Sequence, residues 1–151
     1  AIKERPYIWG TFIWNMFDFA SDGRSEGDQY GINDKGLVSH DRKIKKDAFY
    51  WYKANWNPET MVHITSKRYS PRPLEANEIK VYSNCDSVSL FVNGEPAGTK
   101  VSYDKRFIWS AVEVAKGSNS VEAVGFKNGK KIKDTCSWET PAESVNIGIK
   151  N

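Results

Sequence analysis

Polar and apolar residues alternate along much of the second part of the chain, and a period of two is typical of half-buried β-strands. The alternation covers residues 61–64, 79–82, 88–92, 109–114, 120–126 and 131–138. Asn-Gly pairs at 93–94 and 128–129 predict tight hairpins, because both residue types tolerate the positive φ of such turns, and the Gly-Ser-Asn run at 117–119 predicts another turn. Six or seven short strands predict an antiparallel, immunoglobulin-like β-sandwich over residues 57–151.

The first part of the chain follows a different pattern. Residues 7–19 are almost continuously apolar and aromatic, which favours a strand buried on both faces, as in a parallel sheet. Residues 20–36 are rich in Asp and Gly and are expected to form a loop. Twelve of the 20 aromatic residues lie within residues 1–56, and this shift in composition indicates a domain boundary at Asn57-Pro58.

A helix is predicted over residues 41–56, where Ile44, Ala48 and Tyr52 recur every four positions. Ser39 or Asp41 would cap it. One strand, one loop and one helix form a single β/α unit. A strand of the parallel type needs a neighbour on each edge and cover on both faces, which the chain itself does not supply. We therefore expect residues 1–56 to belong to a larger α/β domain that lies upstream.

Composition excludes several classes of function. The net charge of +3 comes from 22 basic and 19 acidic residues spread along the chain, without the basic patch of a nucleic-acid-binding protein. No apolar run approaches the length of a membrane span. The two cysteines, Cys85 and Cys136, are too few for a metal site, and neither a disulfide nor two free thiols is favoured by their spacing. We expect no cofactor and no metal.

Candidate chemistry lies at the end of the apolar run, where Trp14, Asn15 and Asp18 stand together. The carboxyl end of a barrel strand faces the active site, and an indole face suits the C–H groups of a sugar ring. The other interpretation is that Trp14 belongs to the core, like Trp9. The acidic residues of loop 20–36 fit a solvated surface better than a catalytic pair, because precise sites are built on strands and helices.

Residues 10–19, 31–38, 41–42 and 46–50 resemble glycoside hydrolase family 2, with the bacterial β-galactosidases as the nearest members. The shared features are Trp-x-x-x-Asp, Gly-Leu-Val and Asp-Arg before the helix. The resemblance implies that residues 1–56 are the last strand, loop and helix of a truncated (β/α)8 barrel. Residues 81–85 and 90–94 look like the immunoglobulin-like domain that follows the barrel in that family.

The resemblance also implies a retaining exo-β-glycosidase that hydrolyses terminal β-galactosides of oligosaccharides or glycans through two glutamates. Neither glutamate motif is matched in this chain, so we expect the isolated fragment to be inactive. Trp14 matches the tryptophan that lines the subsite for the non-reducing sugar, and Asn15 and Asp18 adjoin it. Asn33 lies near a position where some members hold a monovalent cation, but its surroundings differ, and no metal is predicted. The family further implies a periplasmic or secreted enzyme.

Two further expectations concern the fragment itself. The aromatic residues of 1–56 would expose an apolar patch without the rest of a barrel, which predicts self-association. A non-catalytic carbohydrate-binding or structural immunoglobulin-like module is the alternative function. Exposed tryptophans on the sandwich would favour carbohydrate binding, and Trp109 and Trp138 are the two that this part of the sequence contains.

Overall fold

The computed structural model describes residues 4–26, 29–75 and 77–141. They form two compact units, Ala1–Phe49 and Tyr50–Asn151. The division falls inside the helix Asp47–Trp56, and the sequence predicted a boundary after residue 56. Residues 142–151 of the predicted sandwich domain lie outside the described part. The elements are β1 (Phe19–Glu26), β2 (Gln29–Asn33), α1 (Asp47–Trp56), β3 (Val62–Ile64), β4 (Asn77–Ser83), β5 (Ser87–Val92), β6 (Glu95–Lys100), β7 (Arg106–Val112), β8 (Gly117–Lys127) and β9 (Lys130–Thr140).

The second unit is an antiparallel β-sandwich, as predicted. One sheet has the strand order β3-β4-β7 and the other has the order β6-β5-β8-β9. Alternate side chains of both sheets point into a shared core, which explains the period of two in the sequence. The most deeply buried apolar residues include Ile79, Val81 and Phe107 from the first sheet and Val88 and Leu90 from the second.

The two Asn-Gly hairpins are confirmed. Asn93 and Gly94 have φ values of 54° and 84°, and Asn128 and Gly129 have values of 50° and 74°. Both turns therefore have the positive φ at two successive residues that matches the twist of the flanking strands. The turn predicted at 117–119 is wrong, because these residues open β8. Strand β6 was not predicted, since its sequence contains Pro96 and Gly98 and lacks a clear alternation.

Close packing of the sandwich decides the identity of residue 125, which lies against Cys85. Cys85 and Cys136 are both free thiols, and burial raises the pKa of the Cys136 thiol to about 11. A Cβ atom on Gly125 would lie 2.4 Å from Val62 Cγ2 and 2.5 Å from Cys85 Sγ. These distances are far below van der Waals contact, so the strand passes this point only with glycine.

The first unit departs from the prediction in its regular structure. Residues 4–18 contain no strand, and only Phe17 forms an isolated parallel bridge, with Val38. The expected buried strand over 7–19 is thus wrong for this chain: Trp9 and Phe12 are 93% and 94% exposed. A central parallel strand acquires its hydrogen bonds and its cover from neighbouring elements, and the described residues supply such pairing only at positions 15–18.

The predicted loop over residues 20–36 is also wrong, because most of it forms the antiparallel hairpin of β1 and β2. The helix begins at Asp47 rather than at residue 41. Ser39 and Asp41 do not cap it: Ser39 Oγ accepts the Ile44 N–H at 3.0 Å, and Asp41 Oδ1 accepts the Lys43 N–H at 3.1 Å. These bonds close a tight turn instead of satisfying the first helical N–H groups.

Candidate functional site

The candidate site is built on a short stretch of parallel pairing between residues 15–18 and 36–38. Leu37 N–H donates to Asn15 O at 3.0 Å, Val38 N–H donates to Met16 O at 3.0 Å, and Asp18 N–H donates to Val38 O at 2.9 Å. The peptide bond between Trp14 and Asn15 is cis. The three hydrogen bonds fix the backbone at the end of the apolar run from Asn15 onward.

Asp18 anchors this stretch through its side chain. The residue is 8% exposed, and its Oδ1 accepts the Gly36 N–H at 2.9 Å and an N–H of Lys46 Nζ at 2.7 Å. A buried carboxylate needs such donors, because burial without them is costly. A Cβ atom on Gly36 would lie 2.2 Å from both Asp18 N and Phe17 C, so this approach requires glycine. Both described hydrogen-bond donors to the Asp18 carboxylate are therefore groups of the protein itself.

Trp14 itself is available for contact. Its side chain is 76% exposed, and the ring meets Phe19 edge to face, with centroids 6.1 Å apart and an interplanar angle of 86°. The interpretation of Trp14 as a core residue does not hold for this chain. Beside it, Asn15 Oδ1 is buried and accepts no hydrogen bond from the residues that the structure describes. The exposed aromatic face suits the C–H groups of a sugar ring, whereas the buried Asn15 Oδ1 is closed to a ligand in this structure.

Glu26, at the end of β1, has two ion-pair partners. Glu26 accepts from Lys35 Nζ at 2.8 Å, from the Asp34 N–H at 3.0 Å and from Arg24 at 2.8 Å. The Lys35 ammonium group, with the other two donors, lowers the pKa of Glu26 to about 2. A general acid needs a raised pKa, so Glu26 has the wrong environment for that role.

The side chain of Asn33 is bonded within the protein. Asn33 is buried, and its Oδ1 accepts the Lys35 N–H at 3.0 Å, which is a local turn bond. Within residues 4–26, 29–75 and 77–141, no group of three or more His, Cys, Asp or Glu side chains is arranged to hold a metal ion. In the same ranges, no helix is long and apolar enough to cross a membrane.

Sequence reasoning named Trp14, Asn15 and Asp18 as site residues, and the structure places Asn15 and Asp18 within the anchored stretch and Trp14 directly before it. Sequence reasoning missed Lys46 and Gly36, which donate the hydrogen bonds that hold Asp18 in place. A carboxylate inside an apolar run signals that a cation lies nearby, but not which of the many lysines provides it, because Lys46 is 28 positions away.

The sandwich tryptophans, which an independent carbohydrate-binding module would expose, are buried. Trp109 is 3% exposed and Trp138 is 1% exposed, and Trp109 Nε1 donates to Gly98 O at 3.3 Å. Neither ring presents a face to a ligand, so the described surface of the sandwich lacks the tryptophan platform that would favour this alternative.

Comparison with known proteins agrees with the resemblance drawn from the sequence. A family model described as a domain of unknown function, DUF4982, matches residues 75–133; it is a C-terminal domain of family 2 glycoside hydrolases. A β-glucuronidase from Bacteroides fragilis is 46% identical over 80% of this chain and 18% of its own length. The chain is a homologue of family 2 glycoside hydrolases.

Two other relatives are a β-galactosidase and a second β-glucuronidase. A β-galactosidase from Bacteroides ovatus is 25% identical over 94% of this chain and 17% of its own length. The crystal structure of an FMN-binding β-glucuronidase from Facaelibacterium prausnitzii L2-6 superimposes with a TM-score of 0.83 and 43% identity, over 91% of this chain and 20% of that one. The chain thus spans about a fifth of the length of its relatives, and they include both β-glucuronidases and β-galactosidases.

Proposed function

We propose that this chain forms part of a retaining exo-β-glycosidase and contributes Trp14 to the subsite for the non-reducing sugar. The observation that carries the proposal is the 76% exposed indole of Trp14 on backbone that is anchored at Asn15 and Asp18. An aromatic platform must keep its direction to select a sugar orientation, and the anchored stretch provides this. Asn15, next to Trp14 in the chain, and Asp18, at the far end of the anchored stretch, are further candidate contacts for the sugar.

The reaction itself needs two carboxyl groups about 5–5.5 Å apart, one as nucleophile and one as acid and base. We propose that both come from the part of the parent protein that this chain does not contain. Residues 1–56 would then be the last strand, loop and helix of the barrel, with the sandwich over residues 57–151 as structural support. On this proposal the chain alone binds sugar weakly and hydrolyses nothing.

We propose a terminal β-galactoside as the substrate, and the relatives make a β-glucuronide the substrate to compare with it. The two sugars differ in the C4 hydroxyl, which is axial in the galactoside and equatorial in the glucuronide, and in the group on C5, which is a hydroxymethyl in the galactoside and a carboxylate in the glucuronide. An indole face contributes apolar contact to either ring but supplies no charged partner for the carboxylate. The preferred sugar is therefore tested by comparing hydrolysis of the two substrates, and not by substitution of Trp14.

The test uses the parent protein with p-nitrophenyl β-galactoside and p-nitrophenyl β-glucuronide. Trp14→Ala is expected to lower kcat/KM for the preferred substrate by about tenfold to a hundredfold, which corresponds to about 1.4–2.8 kcal/mol of lost contact. Trp56→Ala is the matched control, because Trp56 is also exposed but lies at the end of α1. It should leave kcat/KM within about twofold of the parent value.

Equal kinetics for Trp14→Ala and the parent protein would refute the sugar-binding role. Hydrolysis of only the glucuronide would refute the galactoside as substrate and leave that role standing. Activity of the 151-residue chain on its own would refute the view that the catalytic glutamates lie elsewhere.

Two further proposals concern the state of the protein. The chain on its own self-associates through residues 1–56, since Trp9, Phe12 and Trp14 expose large aromatic surfaces; a constant monomer mass by light scattering across micromolar concentrations would contradict this. The parent enzyme is periplasmic or secreted, which cell fractionation followed by an activity assay would test.

A further inference from the structure

We propose that Lys46 is the positioning residue that keeps Trp14 in its sugar-binding place. This inference rests on the proposed function of Trp14 and adds a residue that does not itself touch the sugar. The ammonium group of Lys46 acts through Asp18, and Asp18 lies at the far end of the anchored stretch from Trp14.

The contacts of Lys46 join three separate stretches of the first unit. Its Nζ donates to Asp18 Oδ1 at 2.7 Å and to Asp34 O at 2.6 Å. Its backbone N–H donates to Leu37 O at 2.9 Å. One residue thus ties the site to the end of β2 and to the segment before α1.

Burial makes the Asp18–Lys46 pair sensitive to the loss of either partner. The side chain of Lys46 is 25% exposed and that of Asp18 is 8% exposed. Without the ammonium group, the Asp18 carboxylate would keep the Gly36 N–H as its described partner. A shielded carboxylate that has lost its cation is strongly destabilised and turns towards water if the backbone allows it.

The backbone beside Trp14 allows such a movement. Residues 4–16 form no strand, so few bonds resist a shift of the stretch that carries the indole. The bonds that remain are the backbone bonds of Asn15, Met16 and Asp18 with residues 37–38, all of them after Trp14 in the chain, and the edge contact of Trp14 with Phe19. Loss of Lys46 is therefore expected to displace Trp14 without unfolding the sandwich, whose core lies in the other unit.

A nearby lysine provides a matched control. Lys43 is 81% exposed, and its Nζ lies 3.7 Å from the exposed carboxylate of Asp41. Exposed pairs of this kind contribute little. Lys43→Met removes the same charge and adds the same side chain as Lys46→Met, so it isolates the effect of position.

The experiment is a double-mutant cycle in the parent enzyme. Lys46→Met is expected to raise KM about tenfold with a smaller change in kcat, because substrate placement is impaired while the glutamates are untouched. Lys46→Arg should restore most of the affinity, since it retains a cation and its hydrogen-bond donors. In the Trp14→Ala background, Lys46→Met should cause no further loss, because the platform that it positions is absent.

The outcomes separate the two ideas. If Trp14→Ala leaves kcat/KM unchanged, the proposed function fails. If Trp14→Ala lowers kcat/KM but Lys46→Met has no effect, or has the same effect with and without Trp14, the positioning role is overturned and the sugar-binding role stands. If Lys46→Met does not fold, Lys46→Gln replaces it in the cycle, because it removes the charge of the pair and keeps a hydrogen-bond donor towards Asp18 and Asp34 O.

Discussion

Replacing Asn119 by alanine should destabilise the sandwich by about 3 kcal/mol. Asn119 is fully buried and makes five hydrogen bonds. Its Nδ2 donates to Ala115 O at 2.7 Å, Gly117 O at 3.1 Å and Thr140 Oγ1 at 3.3 Å, and its Oδ1 accepts from Ala115 N at 2.8 Å and Asn93 Nδ2 at 2.8 Å. One side chain therefore closes the turn into β8 and joins it to β9 and to the β5–β6 hairpin.

The magnitude follows from these five bonds. Each buried hydrogen bond contributes about 0.5–1.5 kcal/mol net. Ala115, Gly117 and Asn93 lie at the surface, where water replaces part of what they lose, so the lower end of the range applies. Five bonds at about 0.6 kcal/mol each give about 3 kcal/mol. For a sandwich of this size, that loss lowers Tm by roughly 12–24 °C.

Thermal unfolding of the chain, followed by tryptophan fluorescence, measures this loss, because Trp109 and Trp138 report on the sandwich core. Ser118→Ala is the control: Ser118 is the exposed neighbour of Asn119 on β8, and its loss should shift Tm by less than about 3 °C. A Tm for Asn119→Ala within that same margin would refute the argument that this side chain holds the strands together.

Two further predictions follow from the packing and the ion pairs. Gly125→Ala should destabilise the sandwich by about 1–3 kcal/mol through overpacking, whereas Gly10→Ala, where a Cβ meets no atom within 4 Å, should not, as denaturant melts of both variants would show. Lys35→Met should raise the pKa of Glu26 from about 2 towards its model-peptide value of 4.5, as measured by carboxyl chemical shifts. The lowered pKa stabilises the folded state above pH 4.5 and this contribution is lost as pH falls towards 2; a Glu26 pKa unchanged by the substitution would contradict the ion pair.

The two units differ in how far they bury their own apolar side chains. The sandwich buries its own core and satisfies its strands from within. The first unit exposes aromatic side chains and has little regular structure before β1. On the proposed function, the first unit completes its sheet with strands that lie elsewhere in the parent protein.

The sequence by itself determined most of the sandwich. Alternation of apolar and polar residues is a property of each strand alone, because successive side chains point to opposite faces. The hairpins at Asn93 and Asn128 are equally local, since two residues decide whether positive φ is tolerated. The family resemblance and the candidate residues Trp14 and Asp18 were also identified from residues that lie close together in the chain.

Tertiary structure alone decided the features that depend on distant residues. Apolar character at 7–19 predicts a buried strand, but a strand also needs hydrogen-bond partners from other segments, and the described residues supply these only at positions 15–18. The start of α1 at Asp47 depended on the turn that Ser39 and Asp41 close. The pairing of Asp18 with Lys46 and the packing around Gly125 join segments far apart in sequence, because burial and hydrogen bonding are settled by which groups the folded chain brings into contact.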